Sequence, residues 1–155
     1  MLEKIVSGGQ TGADRAALDA GIVLSFPVGG FCPQGREAED GPIDARYPLT
    51  EIDGGYRKRT LRNVQSSDGT AVFYESTLFG GTEQTRRFCV EWKKPYKLLD
   101  IARLDPVESA TSLREFVEQQ DIRILNVAGP RASGSQRMYS FVHSAISRLL
   151  TGVDV

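Results

Sequence analysis

Short runs of β-branched and aromatic residues alternate with helix-like stretches along almost the whole chain. This alternation constrains the fold more than any other feature. The expected strands cover residues 4–7, 28–31, 70–74, 96–100 and 123–128; the expected helices cover 13–24, 56–65, 82–92, 106–119 and 136–150. Thr82 caps the third helix in this reading, and Pro106 stands early in the fourth. Met138, Val142, Ala145, Ile146 and Leu149 share one face of the fifth. Strands alternating with helices predict an α/β fold, a mostly parallel sheet covered on both faces. The 155 residues suit a single domain, residues 1–155. One stretch breaks the pattern: residues 32–55 are polar, carry Gly and Pro and show no periodicity. Connectors that long in compact domains are often functional.

In open parallel sheets, ligands bind beyond the carboxyl ends of the strands. Four polar, glycine-bearing segments fall there: Gly8-Gly9-Gln10-Thr11-Gly12 after the first strand, Gly29-Gly30 in the second, Gly80-Gly81-Thr82 after the third, and residues 129–134 after the last. Four such loops on one rim predict one site. The first is a strand, a glycine turn and a helix N-terminus in succession. Free N–H groups and the positive end of the helix dipole make such a junction an anion site; the alternative is a tight βα turn whose glycines only satisfy backbone geometry. Its spacing is neither GxGxxG nor GxxxxGK[ST], so neither nucleotide-loop fingerprint applies.

Arginines supply the matching charge. Arg36, in the segment 32–41, and Arg131, in the last loop, can each fork a phosphate or carboxylate. The run Tyr56-Arg-Lys-Arg-Thr-Leu-Arg62 reads as a solvated helix face, with Arg59 and Thr60 as its ligand candidates. Asp14 either complements the dipole of the first helix or contacts a ligand hydroxyl. Asp68 reads as a turn residue. Cys32 lies in the rim loop and Cys89 within a helix, where packing is the expected role. No catalytic set assembles, because the lone histidine, His143, sits in the last helix far from the glycine loops. With one histidine and two separated cysteines, no metal site is expected either.

The formal net charge of −1 predicts no bulk attraction to nucleic acid or to a membrane surface. No apolar stretch approaches the roughly 20 residues of a membrane span, and no signal-peptide core is visible. Cysteines without a pairing pattern and without an export signal predict a reduced, cytoplasmic setting.

The chain also resembles a known family. Ser7-Gly-Gly-Gln-Thr-Gly-Ala-Asp-Arg-Ala-Ala-Leu-Asp19 is similar to the signature of the family named putative molybdenum carrier. So are Gly29-Gly-Phe-Cys-Pro-Gln-Gly-Arg-Glu-Ala-Glu-Asp-Gly41, Arg59-Thr-Leu-Arg-Asn-Val64, Ser67-Asp-Gly-Thr70, Gly80-Gly-Thr82 and Asn126-Val-Ala-Gly-Pro-Arg131. The blocks span nearly the whole chain. The resemblance implies a Rossmann-like three-layer sandwich and a homo-oligomer, a dimer or tetramer. It also implies that the chain holds a molybdenum cofactor (a molybdopterin) or a nucleotide, with phosphate in the glycine loops.

On this reading Gly8, Gly9, Gln10, Thr11, Gly12, Gly30, Arg36, Gly80, Gly81, Thr82, Gly129, Arg131 and Ser133 hold the cofactor. The phosphoribohydrolases of the wider superfamily carry a PGGxGTxxE motif. Here the matching stretch is Leu78-Phe-Gly-Gly-Thr-Glu-Gln-Thr85, without the proline, the Gly-Thr spacing or the glutamate. The leading expectation is therefore a non-catalytic binding protein for a phosphorylated small molecule. The alternative is a nucleoside-monophosphate N-glycosidase using Glu83 or an acid among residues 37–40.

Overall fold

A computed structural model describes residues 1–152. Its elements are β1 (Lys4–Val6), α1 (Ala13–Val23), β2 (Val28–Gly29), β3 (Phe31–Pro33), β4 (Thr50–Ile52) and α2 (Gly55–Gln65). There follow β5 (Gly69–Tyr74), α3 (Gly80–Glu91), β6 (Tyr96–Asp100), α4 (Pro106–Gln119), β7 (Ile124–Ala128) and α5 (Met138–Thr151), with a single 3-10 turn at Ala132–Gly134. Five strands form one sheet in the order β2-β1-β7-β5-β6. Every pairing in it is parallel.

The sheet is a mid-layer. In β5, residues 69–73 are all buried, the continuous apolar run of a strand covered on both faces. On one face α1, α4 and α5 pack through Ala13, Ala16, Ala17, Ala20, Leu113, Phe116, Val142 and Ile146. The alanines give α1 a flat side, so it approaches α5 and the sheet closely. On the other face, Val64 of α2 meets Phe88 and Cys89 of α3. Local signals fix the ends. Asp105 Oδ1 accepts from Glu108 N at 2.8 Å while Glu108 Oε1 accepts from Asp105 N at 3.0 Å, the reciprocal capping box that starts α4. Asp68 Oδ2 accepts from Arg123 N at 3.0 Å and Ile124 N at 2.8 Å, tying the start of β7 to that of β5.

Three expectations change. The strand expected at 28–31 is two strands in two sheets, because the chain turns at Gly30, whose φ is +126°. A Cβ there would lie 2.1 Å from the Ser7 carbonyl oxygen, so only glycine allows that crossing. The stretch 32–55 is not structureless: it contains β3 and β4, which pair in parallel with Cys32 opposite Glu51. Residues 34–49 between them form a strap over α1. Leu18, Cys32, Ala38, Ile43 and Tyr47 make a small core beneath it. Third, α3 begins at Gly80 with Phe79 at the N-cap, so Thr82 lies inside the first turn and caps nothing.

Candidate functional site

The carboxyl ends of β1, β7 and β5 open onto a cavity of about 670 Å³. That falls within the roughly 300–1,000 Å³ of small-molecule sites. Its walls come from the loop after β1 (Gly8, Gln10, Asp14), from α2 (Tyr56, Arg59, Thr60), from the start of α3 (Gly80, Gly81, Thr82) and from the loop after β7 (Gly129, Arg131, Ser133). Eight of the thirteen residues expected to hold a cofactor meet here: Gly8, Gln10, Gly80, Gly81, Thr82, Gly129, Arg131 and Ser133. Gly9, Thr11, Gly12, Gly30 and Arg36 do not line it.

Gly12 and Gly30 serve close backbone approach. Gly12 has a φ of +80°, and a Cβ there would lie 2.3 Å from the Pro130 carbonyl oxygen. Arg36 is a brace. Its guanidinium donates to the carbonyl oxygens of Ile43 (2.8 Å), Leu49 (3.4 Å), Asp44 (2.7 Å) and Tyr47 (2.8 Å). With its donors pointed into its own strap, it is not the anion fork expected from sequence. Thr11 donates its hydroxyl to Glu39 and accepts from Ala132 N at 3.1 Å. Ser133 N and Oγ bond the same Glu39 carboxylate at 3.1 and 2.7 Å. These bonds hold the Glu39 carboxyl below its usual range.

The opening turn has used most of its N–H groups. Gly9 N donates to Ser7 Oγ at 3.4 Å, Gln10 N to Asp14 Oδ2 at 3.3 Å, Thr11 N to Gln10 Oε1 at 3.0 Å and Ala13 N to Pro130 O at 3.2 Å. The start of α3 differs. It has no side-chain cap, and the first N–H groups of a helix have no acceptor within it. Gly80, Gly81 and Thr82 present those groups at the cavity wall, with the positive end of the helix dipole. A Cβ on Gly80 or Gly81 would meet nothing within 4 Å, so this wall is open.

Charge follows the same geometry. Arg57, Arg59 and Arg131 line the cavity against one acid, Asp14. The guanidinium carbons of Arg59 and Arg131 lie 5.2 and 5.9 Å from the Tyr56 ring centroid. In the basic run Arg57, Lys58 and Arg62 are exposed, as a solvated helix face requires, and the two ligand candidates expected from the sequence, Arg59 and Thr60, line the cavity. Arg59 is 8% exposed and donates to Gly8 O at 2.7 Å. Asp14 faces Arg59 Nη1 at 3.9 Å. Burial pushes its carboxyl up to about 6, against the pull of Arg59 and of the Gln10 N–H.

Glu83, the acid of the hydrolytic alternative, does not line the cavity. It is held by Arg86 at 2.6 Å and Arg87 at 3.4 Å, which bring its carboxyl down to about 2. Among the described residues, no group of three or more His, Cys, Asp or Glu is placed to hold a metal ion. No helix among them is long and apolar enough to cross a membrane.

Comparison with known proteins agrees with this fold. Residues 5–150 match the model of the circularly permutated YpsA SLOG family. No curated protein matches. A crystal structure at 1.45 Å named as a putative molybdenum carrier protein, from Syntrophus aciditrophicus SB, is 40% identical with a TM-score of 0.93. The match covers 96% of this chain and 95% of that one.

Proposed function

Because the chain belongs to the circularly permutated YpsA SLOG family, we propose that it binds and carries a phosphorylated small molecule, a molybdopterin-type cofactor or a nucleotide, in this cavity. The observation that carries the reading is the uncapped N-terminus of α3 in a cavity lined by three arginines and one acid. The N–H groups of Gly80, Gly81 and Thr82 take the phosphate, Arg131 and Arg57 add charge, and Tyr56 and Phe79 offer ring surfaces to a planar group. The neighbour named as a molybdenum carrier supports a carrying role.

The cavity fits the organic part of such a cofactor by size and charge. The described residues present no cluster for a bare metal ion, so a metal enters this reading only on its own organic ligand. Holding is favoured over hydrolysis through Glu83, whose carboxylate is committed to Arg86 and Arg87 and lies off the cavity wall. A thermal-shift panel tests the reading, since a ligand that binds only the native state raises its apparent stability. GMP, AMP and molybdenum cofactor are compared with guanosine and adenosine. Phosphorylated compounds raise Tm and their phosphate-free counterparts do so much less. No shift with any phosphorylated compound rejects the proposal.

A further inference from the structure

The end of the cavity away from α3 carries two polar groups that the phosphate does not use. Gln10 is 6% exposed, and its Nε2 is buried without a hydrogen-bond partner. The amide orientation follows from its neighbours: Oε1 accepts from Thr11 N at 3.0 Å and from Glu39 N at 2.9 Å. A flipped amide would set its NH₂ against two N–H groups, so Nε2 is the unused donor. Asp14 is the other group. Its Oδ2 receives the Gln10 N–H at 3.3 Å and faces Arg59 Nη1 at 3.9 Å, and the Gly8 N–H also supports the carboxylate. A carboxylate has about four lone-pair positions to fill, so acceptor capacity remains. The unpartnered Gln10 Nε2 costs stability in the empty protein, which a matching ligand acceptor relieves.

Position adds the scale. Asp14 follows β1 and Gly80–Thr82 follow β5, and these strands flank β7. Two strand spacings place the carboxyl ends of β1 and β5 about 10 Å apart, with Asp14 and Gly80 in the helices that follow them. An extended nucleoside monophosphate is of similar length from its phosphate to the far edge of its base.

We infer that Asp14 and Gln10 read the heterocycle of the ligand, and that they select an edge carrying an exocyclic amine, a ring N–H and a carbonyl in succession, the edge shared by guanine and pterin rings. The Asp14 carboxylate accepts from the amine and the ring N–H, and Gln10 Nε2 donates to the carbonyl. An adenine edge sets a ring acceptor against the carboxylate and an amine against the amide donor. The inference rests on the proposed phosphate site for its anchor.

Calorimetric titration with GMP, IMP and AMP tests it. GMP binds tightest, IMP more weakly for want of the amine, and AMP weakest, by roughly tenfold or more. Asp14→Asn keeps an acceptor for Gln10 N and removes the carboxylate, and it erases the preference for GMP over AMP. Gln10→Glu keeps the Oε1 contacts and removes the donor, and it weakens GMP while sparing AMP. Equal binding of all three nucleotides overturns the inference and leaves the phosphate site standing. Absence of binding by any of them overturns both. If Asp14→Asn fails to fold, Gln10→Glu with an unchanged GMP to AMP ratio still overturns it.

Discussion

Asp14 illustrates how one buried side chain joins stability to recognition. Burial pushes its carboxyl from the ordinary aspartate value of about 3.9 up to about 6 in the native protein. The native state therefore holds its proton more tightly than the unfolded chain. Between those two values stability falls as pH rises, and above about 6 the full cost of the buried charge is present. Asp14→Asn removes that cost. The variant melts at a higher temperature than the parent at about pH 8 and gains little at about pH 4, with a difference on the order of 1–3 kcal/mol between the two conditions. Scanning calorimetry across that range checks it; a pH-independent difference contradicts the assignment. Arg36 makes the opposite point. Its guanidinium donates to four carbonyl oxygens of its own strap. Arg36→Ala leaves those acceptors short of donors and costs on the order of 2–4 kcal/mol in a urea titration. Equilibrium affinity measured on the folded fraction changes little, which an anion-binding arginine does not allow.

At the level of elements, the start of α3 carries the account. Gly81 does not have a positive φ, and a Cβ there would meet nothing within 4 Å. Gly81→Asp is thus sterically free, raises helix propensity and places a carboxylate on the favourable end of the dipole. The variant gains about 0.5–1.5 kcal/mol of stability and loses phosphate binding by roughly tenfold or more, since the new charge occupies and repels the anion position. Stability and affinity moving in opposite directions is the signature of a helix terminus used as a site. A variant that binds GMP as the parent does refutes that use.

The elements also show what sequence can and cannot disclose. Strands such as β5 and helices such as α5 were legible because their apolar patterns are long and local. β4 was not: Thr50-Glu-Ile52 is short and mostly exposed, and it is a strand only because β3 lies beside it. The place of the site was legible from glycines after strand ends. The division of labour within it was not, because the N–H groups of the opening turn are satisfied by Ser7, Asp14, Gln10 and Pro130, contacts made only in the fold.

Over the whole molecule, β7 is inserted between β1 and β5, and this brings the first loop, the α3 terminus and the last loop around one crevice. The strap 34–49 borders that crevice through Glu39, which ties it to Thr11 and Ser133. Hydrogen-bonded loops on one side and an open, uncapped helix on the other give the cavity a reading end and an anion end. The crystal structure of the protein with GMP tests that arrangement most directly. The phosphate is expected within hydrogen-bond reach of the Gly81 and Thr82 N–H groups and the guanine edge against Asp14. A phosphate seated instead in the Gly8–Gly12 turn contradicts it.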